Sequence, residues 1–136
     1  FVPGRNLIFL TFAAALAYRR DLKHIVLGVC ETDYSGYPDC RPEYVEAFTR
    51  MANLATKKSV LGEMEIRIHT PLITMSKADI IRTGAELGLD YGLTHSCYDP
   101  DPLGRACGHC DSCLLRSKGF ADAGVPDPTL YAPRQE

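Results

Sequence analysis

The chain has 136 residues, 46% of them hydrophobic, which suits about one globular domain and excludes extended disorder. Fifteen Lys and Arg against seventeen Asp and Glu leave a net charge of −2, so no basic field marks a dedicated nucleic-acid binder. The longest apolar stretch, residues 7–17, is interrupted by Thr11 and falls well short of the about 20 residues a membrane span needs.

Pro3 and Gly4 signal a turn, and a helix is predicted over about residues 6–20, with Leu7, Leu10, Ala14, Ala17 and Tyr18 sharing a face. Residues 24–30 are β-branched and almost wholly apolar and read as a strand buried on both faces, as in parallel sheets. A polar, turn-rich loop follows over 31–42. Tyr44, Phe48, Met51, Ala52 and Ala55 recur at helical spacing within a second helix over about 43–58. Ile66 and Ile68 alternate with Arg67 and His69 in a second strand over 65–70. Ser76, with Asp79 at the capping-box position, opens a third helix that ends at Gly88, and a last short helix is predicted over about 112–123.

Alternating strands and helices indicate the α/β class, a parallel sheet covered by helices. Two strands cannot bury three amphipathic helices, and a doubly wound sheet wants about four or more strands. With Phe1 rather than Met at the start, the expectation is that the N-terminal strands of the sheet are missing from this chain.

Four of the six cysteines, Cys97, Cys107, Cys110 and Cys113, follow a C-x9-C-x2-C-x2-C spacing. Two-residue gaps let successive thiolates turn toward one centre, and four of them fill a zinc tetrahedron with no open position for water, so a structural metal site is expected. Disulfides, which need an oxidising compartment, are one alternative. An iron–sulfur cluster is another, although Ser117 and Lys118 stand where the bacterial ferredoxin pattern continues with Cys and Pro. His95 or His109 in place of one Cys is a third. Cys30 reads as a packing residue, and Cys40, in the polar loop, as either a reactive thiol or one that only contributes shape.

That loop carries Asp33, Tyr34, Ser35, Gly36, Tyr37, Asp39 and Arg41 just beyond the carboxyl end of the first strand, where open parallel sheets bind ligands. Its tyrosines can stack on a planar heterocycle, its acids can accept ring N–H groups, and Arg41 can pair with a carboxylate. An ordinary solvated loop is the alternative.

Residues 1–6 (FVPGRN), 33–42 (DYSGYPDCRP), the SKADI stretch from Ser76, and residues 96–98 with 107–120 (CGHCDSCLLRSKGF) closely resemble the 7-cyano-7-deazaguanine synthase family, a branch of the PP-loop ATP pyrophosphatases. The resemblance runs in order along essentially the whole chain. It implies a Rossmann-like, adenine-nucleotide hydrolase-like parallel sheet with helices on both faces over residues 1–95, and a zinc-binding helical tail packed on it over 96–136. It further implies a cytoplasmic, homodimeric ligase of queuosine biosynthesis whose partners are small molecules, with neither nucleic acid nor membrane. Such an enzyme uses ATP to convert 7-carboxy-7-deazaguanine and ammonia to the 7-cyano compound through an adenylate, an amide and dehydration to the nitrile.

On that resemblance Arg5 and Asn6 are candidates for ATP contacts, Arg5 and Lys77 for catalysis, the loop from Asp33 to Arg41 for the deazapurine pocket, and Cys97, Cys107, Cys110 and Cys113 for one structural Zn²⁺. The family's Ser-Gly-Gly-x-Asp-Ser pyrophosphate loop is absent from the sequence. The chain is therefore expected to be the C-terminal part of the enzyme and inactive alone. Two other functions compete: a tRNA-thiolating PP-loop enzyme with Cys40 as sulfur relay, and a non-enzymatic zinc module for protein contacts.

Overall fold

Leu10, Ala14 and Ala17, spaced three and four residues apart, give the first helix, α1 (Arg5–Arg19), its buried stripe. A computed structural model describes residues 2–30 and 36–133 and divides the chain into two units, Phe1–Thr74 and Met75–Glu136. The boundary expected at 95/96 lies inside the second unit.

In the first unit β1 (His24–Val26) pairs in parallel with β2 (Arg67–His69), Ile25 opposite Ile68. Between them run α2 (Pro42–Ala55), started by a proline whose missing N–H costs nothing there, and a single turn, α3 (Lys57–Val60). Leu10 and Ala14 of α1, Phe48 and Ala52 of α2, and Met64 and Ile66 before β2 form the core, joined by Ile25 and Ile68 from the sheet. Asn53 of α2 donates to the Ile66 carbonyl and accepts its N–H, both at 2.8 Å. That pair fixes where β2 enters. The α/β class and the parallel pairing are as the sequence indicates.

Three local expectations are corrected. The run over 24–30 is not a strand buried on both faces: only residues 24–26 pair, and Val26 is 71% exposed. Alternation sends Ile25 and Ile68 into the core and His24 and Val26 to the other face, where the His24 Nδ1 lies 2.8 Å from the His69 Nε2. Past the strand Leu27 still donates to the His69 carbonyl, and Val29 and Cys30 are buried. The second helix ends at Ala55 rather than 58, because Thr56 is extended and its hydroxyl bonds the Ala52 carbonyl and Ser59. Leu7 and Met51, expected on buried faces, are exposed.

In the second unit α4 (Lys77–Glu86) opens on the expected capping box: the Ser76 hydroxyl accepts the Asp79 N–H and the Asp79 carboxylate accepts the Ser76 N–H. Its partner α5 (Asp111–Ala123) ends at Gly124, which takes the left-handed cap at φ 69°. The helices meet through Gly119, where an added Cβ would lie 2.6 Å from Lys77 Cγ and 3.0 Å from Ile81 Cδ1. Gly119→Ala should therefore destabilise the protein by about 1–3 kcal/mol through overpacking. A thermal melt unchanged from the parent contradicts this. After α4, Tyr91 donates to the Ile80 and Ile81 carbonyls and sets its ring edge-on to Phe120. No helix among the described residues is long and apolar enough to cross a membrane.

Candidate metal centre and polar loop

A helix start, a tight turn and a backbone tie hold Cys107, Cys110 and Cys113 in place. Cys110 caps α5 and Cys113 lies in that helix's first turn. Gly108, at φ 78°, makes the reversal after Cys107 that a residue with a side chain would resist. Ala106, beside Cys107, is tied to the chain end by backbone bonds from its N–H to Leu130 and to its carbonyl from Ala132. The four sulfurs lie within 4.8 Å of one another, with 3.9 Å between Cys107 and Cys113 and 4.0 Å between Cys110 and Cys97. A tetrahedron with metal–sulfur bonds of about 2.3 Å has edges of about 3.8 Å. The donors fit a metal ion.

Backbone N–H groups of Asp99 and Cys107 point at the Cys97 sulfur, and that of Cys110 at the Cys107 sulfur, each at 3.3 Å. Such donors favour the thiolate. Backbone hydrogen bonds from Cys113 and Tyr98 bring the Cys110 thiol down to about 6, whereas burial pushes Cys113 up to about 12. Four cysteine sulfurs at this spacing suit one cation. His109 turns its Nδ1 to the Cys107 carbonyl at 3.0 Å, and the cluster found among the described residues holds cysteines alone.

Of the candidate binding residues, Asp33, Tyr34 and Ser35 lie outside the described residues. Gly36 and Tyr37 are exposed and lead into a 3₁₀ turn, Pro38–Cys40. Arg41 follows, exposed and extended, as the residue before α2. Arg5 is exposed at the start of α1, which has no side-chain cap and no acid of its own in its first turn. Asp39 supplies both from a distance: its Oδ2 accepts the Asn6 backbone N–H at 3.1 Å. The Asn6 amide then donates to the Asp39 carbonyl at 3.1 Å and to the Cys40 sulfur at 3.0 Å. Cys40 is buried. Close by, the Tyr44 hydroxyl is enclosed without a hydrogen-bond partner among the described residues, and its phenol is raised by burial and then by the charges of Asp39 and Cys40. Lys77 belongs to the second unit, its stem alongside Gly119.

The structure thus joins Asn6 to Asp39 and Cys40, a contact sequence reading missed. An uncapped helix start was the one available signal. It missed as well the buried Arg116, whose guanidinium meets Asp127, Thr94 and the Tyr91 carbonyl. Its place in register with Cys113 and Phe120 on α5 could have flagged it.

Comparison with known proteins decides the family. The model of the family described as queuosine biosynthesis protein QueC matches residues 1–124. The chain belongs to the QueC family. Relatives named 7-cyano-7-deazaguanine synthase include one from Desulfatibacillum aliphaticivorans, 66% identical over 98% of this chain and 57% of the relative. Those from Syntrophobacter fumaroxidans and Myxococcus xanthus are 63% and 60% identical, each over 96% of this chain and 56% of their own length. This QueC-family chain therefore spans little more than half the length of the curated relatives it matches. Both the clustered cysteines and the loop around Asp39 fall within the QueC match.

Proposed function

We propose that this chain serves in the ATP-dependent conversion of 7-carboxy-7-deazaguanine and ammonia to 7-cyano-7-deazaguanine. The observation that carries the reading is the match to 7-cyano-7-deazaguanine synthases at 60–66% identity along nearly all of its residues. The chemistry is an activation problem, because a carboxylate resists attack by ammonia. A carboxylate oxygen takes the α-phosphoryl group of ATP with loss of pyrophosphate, and ammonia then displaces AMP to leave the amide. A second adenylation, on the amide oxygen, makes AMP the leaving group again as two N–H protons are lost and the nitrile forms.

The protein's part is to hold the deazapurine still and to balance the charge of the phosphates. The turn beyond β1, with Tyr37, Asp39 and Arg41, supports a pocket for the heterocycle, and Arg5 at the start of α1 is the cation we assign to phosphate or carboxylate. Cys97, Cys107, Cys110 and Cys113 would hold one Zn²⁺, whose chemistry with a closed thiolate sphere is to cross-link the tail. The thiolation reading is less well supported: a sulfur relay needs a thiol that can reach its partner, and Cys40 is 7% exposed.

The full-length gene product, given 7-carboxy-7-deazaguanine, ammonia and ATP, should release AMP and pyrophosphate and form the nitrile. Absence of the 7-cyano product with saturating substrates overturns the proposal. Elemental analysis of the same preparation should find about one zinc per chain and no iron.

A further inference from the structure

We infer that Asn6 is a positioning residue that clamps the Pro38–Cys40 turn of the proposed deazapurine pocket, rather than a ligand of ATP; this rests on the function proposed above. An asparagine amide has two N–H bonds, and here one meets the Asp39 carbonyl and the other the Cys40 sulfur. A backbone carbonyl only accepts, so the amide must present its nitrogen to Asp39. The side-chain atom left over is Oδ1, an acceptor, and phosphate oxygens are acceptors too. The backbone N–H of Asn6, which at a helix start would suit a phosphate, is held by the Asp39 carboxylate instead.

The same three bonds fix the loop. Residues 38–41 have little structure of their own beyond a single 3₁₀ turn, in which Cys40 donates to Tyr37 and Arg41 to Pro38. Asn6, 33 residues away in sequence, grips that turn through both the backbone and the carboxylate of Asp39. Asn6 engages the Oδ2 of Asp39, so the clamp fixes the orientation of that carboxylate. A rigid helix therefore aims the loop.

In the full-length protein, Asn6→Ala should raise KM for 7-carboxy-7-deazaguanine about tenfold, as expected for lost hydrogen bonds to a loop that must be ordered for binding. KM for ATP should stay at the parent value. Amide hydrogen exchange at Cys40 and Arg41 should quicken, while amides in the middle of α2 keep their rates. Asp39→Asn retains acceptors for Asn6 and should exchange more slowly at these positions than Asp39→Ala. If Asn6→Ala does not fold, Asn6→Ser, which keeps a favourable residue at the helix start, serves for both measurements.

A rise in KM for ATP with the deazapurine KM unmoved overturns the inference, as does unchanged exchange at Cys40 and Arg41. If the parent makes no 7-cyano product, the functional reading fails, and the exchange measurement still decides whether the clamp exists.

Discussion

Replacing Cys113 with serine should cost the proposed four-cysteine site its metal and loosen α5. Structural zinc sites in small domains contribute about 10–16 kcal/mol through four ligands, so one thiolate accounts for about 3 kcal/mol, roughly a hundredfold in affinity or more. His109, a candidate replacement ligand, already has its Nδ1 at the Cys107 carbonyl. The Asp111–Ala123 helix suffers first, since both Cys110 at its cap and Cys113 in its first turn are ligands in the proposed site. Dialysed protein analysed for metal should hold far less than one equivalent, and amides in the first turns of α5 should exchange faster. A Cys113→Ser protein that keeps one equivalent of zinc removes the case for this site.

Replacing Arg116 with methionine should be strongly destabilising although it touches no proposed ligand or substrate contact. The guanidinium is 8% exposed and lies 3.0 Å from Asp127, 2.9 Å from the Thr94 hydroxyl and 4.8 Å from the centre of the Phe120 ring. Removing one partner strands the other: breaking a buried pair costs about 3–5 kcal/mol. Thr129 and Tyr131 still donate to Asp127, which favours the lower end of that range. The melting temperature should fall by roughly 10 °C or more.

The pH dependence gives an independent check. Burial alone would raise the Asp127 carboxyl, but hydrogen bonds from Thr129, Arg116 and Tyr131 outweigh it and hold the group below the usual carboxylate range. A carboxyl lowered by folding contributes stability that is present above its unfolded value of about 3.9 and is lost as pH falls through the folded one. Losing Arg116 raises the folded value, so the variant, though weaker, should depend less on pH below about 4. A variant with the parent's acid sensitivity and melting temperature shows that the pair is dispensable.

What could be read without coordinates was what short-range chemistry decides. Ser76 and Asp79 marked the start of α4 because a capping box needs only four residues. The cysteine spacing pointed to a four-sulfur cluster because chelation geometry is local. Parallel pairing followed from the alternation of elements. The errors came where distant residues decide. An apolar run over 24–30 cannot reveal that only residues 24–26 find a pairing partner, nor which side of Val26 is covered. The grip of Asn6 on Asp39 joins segments whose proximity exists only after α1 and the turn before α2 have packed. Arg116 is polar by type, and its burial depends on Asp127, Thr94 and Tyr91 arriving together.

The pairing of β1 with β2 also sets a schedule. The edge of residues 24–26 that faces β2 stays open until residues 67–69 have been made. The intervening α2 can form on its own local contacts, but a parallel ladder brings no gain until that long loop has closed. In that interval the β2-facing edge of His24–Val26 lacks its partner. Slowing translation between α2 and β2 should therefore lengthen the aggregation-prone window, whereas the α4–α5 pair, joined by shorter connections, closes soon after it is made.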